Sequence, residues 1–201
     1  MRRSRRRTVS CWGLLLGAIA GCGTDTGAPP APAGAVADSA IPRDEALRRF
    51  REGLAPVDTL AGAASRDSLI AAFVAAVATH DSAALRRLVL DRREFAYVFY
   101  PTTPQGLPPY DLSPQMMWDL LTRQSERGLA DLLRRVGGKA PALAGYECEP
   151  EPAREGKNLI WTGCRITLTV PPADTLAARL TGPIIERAGR YEFVSYTNEL
   201  D

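Results

Sequence analysis

Two cysteines, Cys148 and Cys164, stand at equal distances from Gly156, the middle of the turn-forming triplet Glu155-Gly156-Lys157. Residues equidistant from a hairpin turn face each other across its strands, which is the geometry a cross-strand disulfide needs. Residues 142–149 and 158–170 read as the strands that flank this turn, and both cysteines lie on that hairpin. In the chain-entropy model a bridge closing such a loop is worth about 3 kcal/mol. A structural zinc site takes four ligands, and the one histidine of the sequence, His80, lies far from these two thiols. The alternative is a pair of buried free thiols.

A disulfide needs an oxidising compartment, and the N-terminus reads as an export signal. Arg2, Arg3, Arg5, Arg6 and Arg7 precede an apolar run over 11–20, which ends on Gly21-Cys22. A basic start, a short apolar stretch and small residues at its end make a secretory signal peptide. A run of about ten residues is too short to span a bilayer, which takes about 20. Ile19-Ala20-Gly21-Cys22 resembles the bacterial lipobox. That resemblance implies cleavage before Cys22, lipidation of Cys22 and attachment to a membrane. The alternative is an ordinary signal peptide in which Cys22 is incidental. Gly23 rather than Asp follows the cysteine, which by the same resemblance points to the outer membrane, on its periplasmic or surface face. Ser4-Arg5-Arg6 partly resembles a twin-arginine signal, but Thr8 and Val9 stand where an aromatic residue is expected.

Loss of the leader changes the electrostatics. The whole chain has 25 basic and 23 acidic residues, a formal charge of +2. Five arginines and no acid leave with residues 1–21, so the mature chain has 20 and 23, a charge of −3. That balance excludes a strongly basic nucleic-acid binder. A single histidine excludes a multi-histidine metal site. There is no phosphate-binding glycine loop, dinucleotide fingerprint or CxxC pair, and no cofactor is expected.

Residues 22–41 form the expected tether. In 23–41, Ala, Pro and Gly supply twelve of nineteen positions, with no helical or strand period to bury. One domain is expected over 42–201. Ala46, Leu47, Phe50 and Leu54 have helical spacing. Ser65 and Asp81 read as N-caps of a second and a third helix. Residues 94–100 (EFAYVFY) alternate and are expected to form a strand. Ser113-Pro114 opens a long helix through Met117, Leu129, Leu133 and Val136, which Gly137-Gly138 ends. Strands are expected again over 181–187 and 190–197.

The expected class is therefore α+β: a curved antiparallel sheet around one long helix, with short N-terminal helices closing a cone. This order resembles the nuclear-transport-factor-2-like superfamily, which includes polyketide cyclases and ketosteroid isomerase. The resemblance covers 65–197. It rests on element order, on Thr79-His80-Asp81-Ser82-Ala83-Ala84-Leu85, and on the ending Gly189-Arg190-Tyr191-Glu192-Phe193-Val194-Ser195-Tyr196. Arg93-Glu94-Phe95-Ala96 before Tyr100-Pro101 is similar to bacterial lipoproteins of that fold. Another small α+β sandwich is the alternative.

Enzymes of the superfamily often place an acid or histidine deep in the cone to move a proton. His80 reads as a solvated turn residue. Asp119 and Glu192 read as solvated charges, and Arg165 as part of an outward strand face with Trp161 and Thr167. No catalytic residue is assigned. The candidate pocket is aromatic: Tyr97, Tyr100 and Trp118 near a segment with five prolines over 101–114, completed by Tyr146, Trp161 and Tyr196. The expected role is a membrane-anchored envelope lipoprotein that binds a protein partner or a small apolar ligand without catalysis. The alternatives are an isomerase, cyclase or dehydratase using the same pocket, and a structural module that forms a homodimer.

Overall fold

The computed structural model describes residues 41–172, 174–197 and 199. The expected leader over 1–21, Cys22 and the expected tether over 23–40 lie outside the described residues. From residue 41 the chain is α+β, with two antiparallel sheets and one long helix.

The helices start where short polar side chains can cap them. Arg43–Phe50 (α1) buries Leu47 and Phe50. Arg66–Ala78 (α2) follows Ser65, whose hydroxyl accepts from the Ser68 N–H while Ser68 reaches back to the Ser65 N–H. Ser82–Arg86 (α3) is capped by Asp81. Pro114–Val136 (α5) begins on Ser113, with proline where no N–H is required.

Residues 94–100 are not a strand. Asp91 and Glu94 form a reciprocal cap for the short helix Arg92–Glu94 (α4), which runs on as a wide turn over Phe95–Phe99. The Tyr100 N–H donates to the Phe95 carbonyl at 2.8 Å. Phe95, Ala96, Val98, Phe99 and Tyr100 are all buried. A helical turn packed on every side shows no polar face, so its sequence reads equally well as alternation.

The strands are Ala142–Glu147 (β1), Ala153–Glu155 (β2), Asn158–Trp161 (β3), Arg165–Val170 (β4), Asp174–Ala178 (β5), Ile184–Arg187 (β6) and Arg190–Phe193 (β7). The strand expected over 158–170 is two strands, β3 and β4, in different sheets. One sheet has the order β1-β4-β5 and the other β2-β3-β6-β7. Strand β5, absent from the sequence reading, pairs with β4 across Pro171-Pro172.

Two cores result. The first joins α2, α3 and the C-terminal half of α5 (Leu129, Leu132, Leu133, Val136) to Ile166, Leu168, Ile184, Phe193 and Tyr196. The second joins α1, the 95–100 turn and Met117 near the start of α5 to Ile160, Ile185 and Val194. The sheet β2-β3-β6-β7 therefore carries a core on each face: Ile184 and Phe193 serve one, Ile185 and Val194 the other.

Candidate functional site: an aromatic groove beside the disulfide

Cys148 and Cys164 are bridged, with Cα atoms 3.9 Å apart. Their place follows from register. Glu147 pairs with Arg165 at the end of β1 and β4, and Glu155 pairs with Asn158 around the Gly156-Lys157 turn. The two cysteines lie opposite each other between these ladders. Gly163, with φ +65°, turns the chain there from one sheet to the other.

The bridge borders an open groove of about 400 Å³. Trp161 and Tyr146 line it, with Glu147, Glu149 and Pro150 on the bridge side and Arg66 from the first turn of α2. The Arg66 guanidinium carbon lies 3.8 Å from the centroid of the Trp161 ring, a cation–π contact. The indole N–H donates to Glu186 Oε2 at 3.3 Å. The Tyr146 hydroxyl donates to Asp67. Burial, and then that carboxylate, push the Tyr146 phenol up to about 12. Tyr191 on β7 is raised by burial and by Glu186 in the same way. Both phenols thus stay neutral donors on acidic partners, and both rings are held in place.

The six aromatic candidates divide among three places. Tyr146 and Trp161 share the groove. Tyr196 is buried in the first core, donating to the Leu85 carbonyl at 2.7 Å. Tyr100 is buried in the second, donating to the Leu112 carbonyl at 2.8 Å. Tyr97 and Trp118 pack against that second core. The Tyr97 hydroxyl reaches the Leu54 carbonyl at 3.2 Å, its ring sits under Arg51, and Trp118 tilts against Phe95.

The titratable candidates divide too. Asp119 is exposed and accepts from Gln115 on its own helix. Arg165 is exposed and donates to the Ala177 carbonyl. His80 is an exposed turn residue in the left-handed region, φ 55°. It borders a second groove of about 320 Å³, where Arg86 and Glu126 are already paired at 2.7 Å.

Glu192 departs from expectation. It is 2% exposed rather than solvated, on the face of β7 that meets the second core, and it lies against Glu94, itself 3% exposed. Burial, then the charge and hydrogen bond of Glu94, push Glu192 up to about 9. The signal that could have located this pair was the Asp91/Glu94 capping box, which turns Glu94 inward.

No family model matches this chain, and no curated protein or solved structure matches it. Among the described residues no group of three or more His, Cys, Asp or Glu side chains could hold a metal ion.

Proposed function

We propose that this chain is a lipid-anchored envelope protein that binds a cationic segment of a partner protein in the Arg66–Tyr146–Trp161 groove, without catalysis. The anchor is Cys22, delivered by the arginine-rich leader and its lipobox-like end, with the outer membrane as its address. No helix among the described residues is long and apolar enough to cross a membrane. The two sheets are read as one curved surface around α5, after the nuclear-transport-factor-2-like pattern. What supports that reading is the bent double arm β1–β2/β3–β4, which runs through both sheets.

The observation that carries the binding role is the charge around the aromatic floor. Glu147 and Glu149 line the groove, Asp67 holds Tyr146 and Glu186 holds Trp161, against the single cation Arg66. Acidic walls around aromatic faces suit lysine or arginine side chains on an extended segment. A partner is favoured over a small apolar ligand because Tyr100 and Tyr196 are packed core residues. A binding role is favoured over catalysis because Glu94 and Glu192 are buried away from the lining of this groove.

The test uses the full processed chain in detergent with Trp118→Phe, which leaves Trp161 as the tryptophan reporter once Trp12 departs with the leader. A lysine-rich peptide is expected to change Trp161 fluorescence saturably. Salt and the Glu147→Gln/Glu149→Gln variant are expected to weaken the response. A response to an apolar dye alone would favour the small-ligand reading, and silence to both would refute the groove. Separately, Cys22→Ala is expected to release the protein from the membrane fraction. Unchanged fractionation would refute the anchor.

A further inference from the structure

The Glu94–Glu192 pair lies where three segments meet. The stretch leading into α2 spends three consecutive N–H groups there. That of Ala61 donates to Glu94 Oε1 at 2.7 Å, that of Gly62 faces the Glu192 carboxyl, and that of Ala63 donates to the Tyr191 carbonyl at 2.9 Å. Tyr191 returns a bond to the Ala63 carbonyl, also at 2.9 Å. Glu94 Oε2 accepts from the Asp91 N–H at 2.9 Å. Leu90 and Phe193 close the third side, the Leu90 N–H donating to the Phe193 carbonyl at 3.1 Å.

Two carboxyl groups in contact, sealed from water, cannot both ionise cheaply. Both Glu94 oxygens are taken up by backbone N–H groups, those of Ala61 and Asp91. Glu192 Oε2 is buried without a hydrogen-bond partner, so Glu192 has far less to stabilise a charge. The charged groups around it do not relieve this. Asp91 adds a second repulsive charge. On β6, Arg187 stands on the same side as Ile185, the register partner of Glu192. Its guanidinium is committed to the Asp58 carbonyl at 3.1 Å and to Asn158 Oδ1 at 2.9 Å. Arg190 on β7 is exposed.

We propose that Glu94 and Glu192 share one proton and form a latch, fastening the segment before α2 to β7 in acid and loosening it as the pH rises. When the latch opens, Glu192 meets water and gives its proton to solvent. The closed state must hold that proton, and the open state need not. Each rise in pH therefore favours opening, until the pair ionises in place. The raised affinity of Glu192 for its proton extends this range across neutral pH. The latched segment joins α1 to α2, so on the lipid-anchor reading proposed above it lies on the path along which the domain would be pulled.

Amide hydrogen exchange on the full chain in detergent tests this, with rates corrected for intrinsic pH dependence. Protection at Ala61–Ala63 is expected to fall about tenfold per pH unit above pH ~5 and to level off near pH ~9. It should remain below that of the Phe73–Val77 amides in α2. In Glu192→Gln, whose carboxamide donates to Glu94 at every pH, the fall should vanish. A flat profile in the wild type, or the same fall in Glu192→Gln, would overturn the latch. Identical protection in the two segments would also overturn it, because the pair would then act only on global unfolding. If Glu192→Gln does not fold, the infrared band of a protonated carboxyl decides. It should persist at neutral pH in the wild type, and its absence would refute proton sharing.

Discussion

Cys148 and Cys164 are bridged at the point where the double arm β1–β2/β3–β4 leaves one sheet for the other. On one strand only Thr162, Gly163 and Cys164 separate β3 from β4. The disulfide therefore does more than join two paired strands. It clamps the crossing between the sheets, and it borders the Tyr146–Trp161 groove. Strand pairing holds each sheet internally, and the covalent link holds the crossing where the ladder is interrupted.

Removing that clamp should cost stability. The double variant Cys148→Ala/Cys164→Ala is expected to lose about 3 kcal/mol, the value for a loop of this length. Urea unfolding of the oxidised chain and the variant checks this. A loss below about 1 kcal/mol would mean that the cores alone hold the crossing.

Gly62 should tolerate no side chain. A Cβ there would lie 2.2 Å from the Tyr191 carbonyl oxygen and 2.3 Å from Glu192 Cγ. Both are held, one in a strand and one in a buried carboxyl pair. Gly62→Ala must push the segment off β7, at a cost of about 1–3 kcal/mol. Thermal unfolding should show the loss, and exchange at Ala63 should quicken. Gly53→Ala makes a useful comparison. A Cβ there meets nothing within 4 Å, so its cost should come from φ +77° alone.

The parts of the fold legible in the sequence were those set by local chemistry. Ser65, Asp81 and Ser113 cap helices because a short side chain next to a free N–H needs no distant partner. The Cys148/Cys164 pairing was legible because a hairpin converts sequence distance into spatial register. Features that depend on distant packing were not legible. The 95–99 turn is apolar all round because the second core surrounds it, so it carries no helical stripe. Strand β5, with sequence DTLAA, is a strand because β4 lies beside it. Glu192 reads as a solvated charge between Tyr191 and Phe193, but its sheet has a core on both faces, so alternation there selects between two interiors. Of the aromatic candidates, Tyr146 and Trp161 were brought together by the strand crossing, whereas Tyr100 and Tyr196 found backbone carbonyl partners inside separate cores.

The same burial gives stability a pH dependence of known sign. Glu192 has a folded pKa of about 9 against an ordinary value of 4.5. Between these two values the folded state holds a proton that the unfolded state lacks. Stability from this group is full below about 4.5 and is lost as the pH climbs toward 9, by at most ~1.4 kcal/mol per pH unit. Above 9 the loss is complete and the curve flattens. Urea midpoints of the wild type should therefore fall through neutral pH, and those of Glu192→Gln should stay level. Glu192→Gln is expected to be the more stable protein at pH 8, and the reverse order would refute the assignment of the proton to Glu192.

Asn158 offers the sharpest test of how the second core is tied to its sheet. It is 0% exposed at the start of β3. Its amide donates to the Val98 carbonyl at 2.8 Å and to Thr102 Oγ1 at 3.0 Å, while its oxygen accepts from Arg187 at 2.9 Å. One side chain thus joins β3 to the 95–102 turn and to β6. Asn158→Ala leaves a buried carbonyl and a guanidinium without that partner, at about 3 kcal/mol. Asn158→Asp keeps an acceptor for Arg187 and loses both donations. It should therefore release the turn near Val98 while leaving β6 in register. Amide exchange separates the two variants: both should expose Tyr100 and Thr102, and only Asn158→Ala should also loosen the Glu186–Arg187 pairing with β7. Equal effects on both sides would mean that Arg187 is held by the Asp58 carbonyl alone.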